Sequence, residues 1–161
     1  MDVLPLDKYD DLLKTLLQEE TDLQFSVFTN ETAYRVGNRI IEKAMKENKA
    51  IVVNIRKNNE LLFYSRMVGT SSNNDEWVTW KNNVVNHFGH SSYYMHVLLK
   101  STASTVEASG LNPIDYKAEG GAFPLTLKDE GIVGTISVSG LPGEEDHNMI
   151  TSVLKELLLG K

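Results

Sequence analysis

Apolar residues recur along this chain with two periods, and the places where one period gives way to the other predict its elements. Tyr9, Leu12, Leu13, Leu16 and Leu17 return at helical spacing, with Lys8, Asp11, Lys14 and Gln18 on the other side. That pattern predicts an amphipathic helix over residues 8–21, with Asp7 as its N-cap. A second stripe, Ala33, Val36, Gly37, Ile40, Ile41, Ala44 and Met45, predicts a helix capped by Asn30. Gly37 inside that stripe costs up to about 1 kcal/mol of helix propensity, so it is expected to pack closely on a sheet. Trp77, Trp80, Val84 and Phe88, widened by Val78 and Val85, predict a third helix over 75–88 that Gly89 ends. A fourth, capped by Ser91 or Ser92, would turn Met95, Leu98, Leu99, Thr102 and Val106 inward and stop at Gly110. The last, over 144–159, pairs Met149 with Ile150, Val153 with Leu154, and Leu157 with Leu158.

Between the helices the pattern shortens. Residues 50–56 and 61–68 flank Lys57-Asn58-Asn59-Glu60, and asparagine tolerates the positive φ of a two-residue hairpin turn. Both runs are apolar on both faces, which predicts a central antiparallel pair covered on each side. Residues 122–127 and 132–139 predict a second hairpin, turned at Lys128-Asp129-Glu130-Gly131. Residues 23–28 read as a short extended segment, and 116–119 as the start of a further strand bent at Gly120-Gly121. No repeat or linker interrupts the chain, so one domain is expected over 1–161.

Composition narrows the function more than the fold. The chain has no cysteine among its 161 residues, which excludes disulfides and thiolate metal sites. Its net charge of -6, without a dense Lys/Arg stripe, argues against nucleic acid. No apolar run reaches the ~18 residues of a membrane span, and MDVLPLDKYDD lacks the basic n-region of a secretory signal. The expectation is a soluble, cytoplasmic protein.

Candidate chemistry gathers in residues 119–147. Glycine inside or beside a strand marks a bulge or a close approach, and this stretch holds Gly120-Gly121, Gly134, Gly140 and Gly143. The Gly140-Leu141-Pro142-Gly143 turn into a helix offers backbone N–H groups to an anion. Glu144, Glu145 and Asp146 in the first turn already answer the helix dipole and make a plain cap the competing reading. Asp146 and His147 are helix neighbours that do not face one another, so either needs a partner from elsewhere. His87, His90 and His96 gather near one helix junction, where the choice lies between ligation and ordinary capping. Trp77, Trp80, Tyr93 and Tyr94 suit an interface more than a cofactor wall. No Gly-x-Ser-x-Gly elbow is present, and no catalytic residue is assigned.

Gly120-Gly121-Ala122-Phe123-Pro124-Leu125, the run Gly134-Thr135-Ile136-Ser137-Val138-Ser139-Gly140 and Glu145-Asp146-His147 together resemble the HbpS/GlcG-like family, whose members are labelled haem-degrading or haem-binding. The segments Asp75 to Lys81 and Phe88 to Met95 place the resemblance in a sub-branch of small proteins of unassigned function, over about residues 29–158. The resemblance implies an α/β fold of the α+β type: a profilin-like, about five-stranded antiparallel sheet with helices on both faces. It also implies homo-oligomers. No haem ligand is matched residue by residue. Two readings follow. The first is a cytoplasmic oligomeric module for a small ligand, with haem binding or breakdown as the candidate. Its pocket would lie at Gly121, Phe123, Pro124, Gly140, Gly143 and His147, with His90 and His96 as first choices for haem. The alternative is a non-enzymatic homo-oligomeric scaffold for a protein partner, assembled through Trp77, Trp80, Tyr93 and Tyr94. A third reading is a small-molecule hydrolase or isomerase using Asp146, His147 and a residue from a neighbouring chain.

Overall fold

Asn58 and Asn59 both take positive φ, 52° and 65°, and close a two-residue hairpin between β1 (Val52–Lys57) and β2 (Glu60–Arg66). The second hairpin joins β3 (Ala122–Leu127) to β4 (Gly131–Ser139), with Gly131 at φ 85° completing its turn. These strands come from a computed structural model that describes residues 4–161. They form one antiparallel sheet in the order β2-β1-β4-β3, so the two hairpins are joined through β1 and β4.

Five α-helices surround the sheet among the described residues: α1 (Leu6–Asp22), α2 (Asn30–Lys46), α3 (Ser72–Phe88), α4 (Ser92–Ser101) and α5 (Gly143–Leu159). Strand alternation sends Val53, Ile55, Phe123, Leu125, Ile136 and Val138 to one face. There they meet Ala33, Val36, Ile40 and Ala44 of α2 and Ile150, Val153 and Leu154 of α5 in the main core. A Cβ on Gly37 would lie only 2.3 Å from the Phe63 ring, so glycine is what lets α2 approach β2. The other face presents Asn54, Thr135, Ser137 and Ser139 toward α3. α4 packs beside α3, and α1 lies on α4 through a smaller cluster of Tyr9, Leu16, Tyr93 and Val97.

Several expectations are corrected. The sheet has four strands, not five: residues 116–119 are irregular, and Lys117 donates its backbone N–H to Trp80 of α3. Residues 23–28 make only a single bridge, Phe25 to Leu127, which covers one point of the β3 edge. β2 is an edge strand with a mostly open outer face rather than half of a covered central pair. α1 starts after Pro5, with Asp7 in its first turn. α2 is capped one residue early, by the Thr29 hydroxyl in a reciprocal box with Thr32. Met45 points to solvent. α4 stops at Ser101, and Gly110 instead ends a 3₁₀ turn, Glu107–Ser109.

The third helix is rotated from its expected setting. Its buried stripe runs Val78, Lys81, Asn82 and Val85, with Val84 at its side, while Trp77, Trp80 and Phe88 are only partly covered. Two polar residues thus occupy sheet-facing positions that a count of apolar residues leaves blank. Gly89 ends the helix at φ 74°, and the Ser91 hydroxyl caps α4 by accepting from the Tyr94 N–H, both as expected.

Candidate functional site

Gly120 and Gly143 meet backbone to backbone, and a Cβ on Gly120 would fall on the Gly143 carbonyl. This contact separates two clefts that share Glu119, Gly120 and Gly143 as lining. One, of about 290 Å³, is bounded by the start of α3 and the turn before α5, including Asn73, Trp77, Ser139 and Gly140. The other, of about 610 Å³, opens between α1 and α4, against Leu4, Leu12, Tyr93, His96, Lys100 and Pro142.

At the floor of the smaller cleft a buried lysine meets a buried carboxyl group. Lys81 projects from the sheet-facing side of α3, and Asp146 from the first turn of α5; each residue is 2% exposed. The Lys81 Nζ lies 3.3 Å from Asp146 Oδ2, 2.7 Å from the Val138 carbonyl oxygen and 3.1 Å from that of Gly120. Asp146 Oδ1 accepts the Leu141 N–H at 3.0 Å, so the carboxyl also fastens the turn that leads into its own helix. Burial pushes the Asp146 carboxyl up to about 7, against the opposing pull of Lys81 and of the Leu141 and Gly140 N–H groups. Burial likewise lowers the Lys81 ammonium below the ordinary lysine range, and Asp146 only partly offsets this. Gly121, at φ 129°, leaves the space that this amine fills: a Cβ there would strike Nζ and the Val138 carbonyl.

The larger cleft is organised by His96. Its Nδ1 lies 3.0 Å from the Ala118 carbonyl oxygen, which can only accept, so Nδ1 is the donor, and in the neutral ring that leaves the lone pair on Nε2. The Glu119 carboxylate stands 3.4 Å from the same nitrogen. The Tyr93 ring lies nearly parallel to the imidazole, at 13° and 6.1 Å between centroids. Burial, and then the Glu144 and Glu19 charges, push the Tyr93 phenol up to about 12.

Behind that wall α1 is fastened by two acids. Glu19 accepts from His147 Nε2 at 3.0 Å and from Lys155 at 2.8 Å. Burial opposes its ionisation, yet the hydrogen bonds and charges of these two partners together hold the Glu19 carboxyl below its ordinary range. Glu20 takes His90 Nδ1 at 3.0 Å and the Ser91 N–H at 3.2 Å. Here burial prevails and raises the Glu20 carboxyl. The buried His147 Nδ1 has no hydrogen-bond partner among the described residues.

The expected pocket residues therefore separate. Gly140 and Gly143 line the smaller cleft with Trp77, and Gly121 lies beneath it. His96 and Tyr93 line the larger one. Phe123 belongs to the main core and Pro124 is buried within edge strand β3; neither lines either cleft. His90 is tied to α1 by Glu20, outside both clefts, and His147 is buried behind Tyr93. Trp80 packs edge-on against Trp77, with Lys117 over its ring at 5.7 Å. The surface of Tyr93 and Tyr94, expected to meet another chain, is covered by α1 of the same chain. Lys81 and Glu119 escaped the sequence reading. The available signal for Lys81 was its place three residues after Val78 and four before Val85.

The family model described as haem degrading protein HbpS-like matches residues 28–155. The chain belongs to the HbpS-like family. The match begins after α1, so both clefts border the family body while the α1 wall lies outside it. Similar relatives include a UPF0303 protein of Serratia proteamaculans (strain 568), 42% identical over 92% of this chain and 93% of its own. Another, from Edwardsiella ictaluri (strain 93-146), is 39% identical over 92% and 96%. Among solved structures, that of the Ybr137w protein has a TM-score of 0.84 at 27% identity, covering 99% of this chain and 98% of its own. HbpS follows at 0.65 and 20%, covering 84% and 92%. PduOC, solved as a haem complex, gives 0.66 and 14%, covering 80% and 93%. At those identities HbpS and PduOC show the fold alone.

Proposed function

We propose that this chain is a cytoplasmic haem-binding module whose macrocycle site is the larger cleft, with His96 Nε2 as the iron ligand. The observation that carries the reading is the His96–Ala118 hydrogen bond. Ligating histidines commonly donate their second ring nitrogen to a carbonyl or carboxylate, which fixes the tautomer and orients the ring. The residues fit the group in other respects. Leu4, Leu12 and Pro142 offer apolar surface, Tyr93 a flat wall, and Lys100 a cation for a carboxylate substituent. The PduOC haem complex on the same fold supports the reading, as does membership of a family described as haem degrading.

Bound iron would supply the redox chemistry that macrocycle breakdown requires. The chain's own part is to orient His96 through Ala118 and to exclude water with Leu4, Leu12 and Pro142. Haem titration tests the proposal. Wild type should shift the Soret band, His96→Ala should lose the shift, and His90→Ala should keep it. A wild-type spectrum identical to free haem would sink the idea.

A second reading, a homo-oligomeric scaffold, is favoured by the uncovered outer edge of β2, a strand side able to pair with another chain. Light scattering on a sizing column tests it, and a monomer at micromolar concentration removes it.

A further inference from the structure

The smaller cleft contains chemistry that haem binding does not use. Three oxygens surround Lys81 Nζ: the Gly120 and Val138 carbonyls and one Asp146 carboxyl oxygen. An ammonium satisfies this set by donating three times. A neutral amine satisfies it equally, donating to the two carbonyls and accepting from a protonated Asp146. In a site this buried the uncharged pair avoids the cost of desolvating two ions. The opposite displacements of the two groups, lysine downward and aspartic acid upward, agree with that state. Gly121 is the residue that makes room for the amine.

We propose that Lys81 is a carbonyl-reactive amine and that the smaller cleft holds a short, uncharged, hydroxylated aldehyde or ketone as an imine. The cleft has room for roughly ten water volumes, which limits the guest to a few carbons. Asn73, Asn74 and Ser139 provide hydrogen-bonding partners for hydroxyl groups, and Trp77 forms one flat wall. Glu119 at the rim disfavours an oxo acid. The Asp146 proton turns from the Lys81 nitrogen to the guest's carbonyl oxygen, the freed lone pair adds to the carbonyl carbon, and one amine proton returns to Asp146, giving a neutral carbinolamine beside the acid. Asp146 then passes its proton to the departing hydroxyl, water leaves, and an iminium remains beside the aspartate. Attack by water reverses the sequence and returns both residues to their starting forms. Desolvation is a recognised means of activating a lysine nucleophile.

The test needs no variant at the outset. The full chain is incubated at neutral pH with glyceraldehyde and cyanoborohydride, and the reduced adduct is mapped by peptide mass. Lys81 should be labelled faster than the exposed Lys8, Lys14 and Lys128, with a rate that saturates in glyceraldehyde. Pyruvate should label it more slowly. Asp146→Asn keeps the side-chain shape and should slow the Lys81 label by about a hundredfold, the range typical of a lost general acid. It should also remove the inflection near neutral pH. Label confined to the exposed lysines, or a Lys81 rate that rises without saturation, overturns the assignment. An Asp146→Asn rate and pH profile equal to wild type overturns the proton transfer.

Discussion

The two faces of the sheet are built from the same strands and packed on opposite rules. Toward α2 and α5 the strands present Val53, Ile55, Phe123, Leu125, Ile136 and Val138, all apolar and closed to water. Toward α3 the same strands present Asn54, Thr135, Ser137 and Ser139, and the helix answers with Lys81 and Asn82. Ser137 bonds Asn82, and Lys81 binds the ends of both β4 and the chain entering β3. The first face is held by area removed from water, without direction. The second is held by directional bonds whose loss strands a buried partner. Fold and chemistry are thus divided between the two sides of one layer, and the clefts lie where the polar side meets the α5 turn.

Substitutions can test that division, starting with the largest effect. Phe123→Ala on the dry face should cost about 3–5 kcal/mol in urea unfolding and leave the Lys81 label intact once folded. On the polar face Lys81→Met should cost about 3 kcal/mol at pH 8, because Asp146 is left buried without a partner. That cost should shrink toward pH 5, where the acid is neutral. In the wild type, a carboxyl raised from 3.8 to about 7 keeps its proton in the folded state while the unfolded chain has lost it. Its contribution to stability is therefore full below pH 4 and is lost as pH rises through 7. Thermal unfolding across pH 4 to 8 should show this slope, and Asp146→Asn should flatten it.

A hydrogen-bonded pair between β4 and α3 gives a finer comparison. Ser137→Ala should cost about 1–3 kcal/mol by leaving Asn82 without its partner. Changing both residues to apolar ones of similar shape should recover much of it. If the single change cost nothing, the polar face would be passive packing after all. The smallest effect is expected furthest from the sheet. Glu19→Gln should lower the protection of α1 amides by about 1–2 kcal/mol in hydrogen exchange, with the sheet amides unaffected. Because its partners hold the Glu19 carboxyl below its ordinary range, this fastening is complete above pH 5 and is lost as pH falls through the lowered value.

The dry face was legible because it obeys periodicity. The α2 and α5 stripes, both hairpins, the Asn58-Asn59 turn and the close packing of Gly37 could all be read from residue type and spacing. Lys81 and Asn82 could not, because a buried lysine looks like a solvated one until its acceptors are known. Those acceptors are two backbone carbonyls and a carboxylate distant in sequence. Asp146 was visible at the helix mouth, along with the rule that it and His147 diverge, and they do, one to Lys81 and the other to Glu19. The partners lie 65 and 128 residues away, beyond any local pattern. The missing fifth strand has a similar origin, since residues 116–119 spend a backbone donor on α3 instead of on a neighbouring strand.

Between the two clefts stands a partition of two touching backbone segments, and neither Gly120 nor Gly143 has a side chain to brace it. A guest that wedges it from one side must reshape the other chamber by the same displacement. Occupancy on the His96 side and amine chemistry on the Lys81 side would then be felt through a shared wall, each altering the other's affinity by an equal factor.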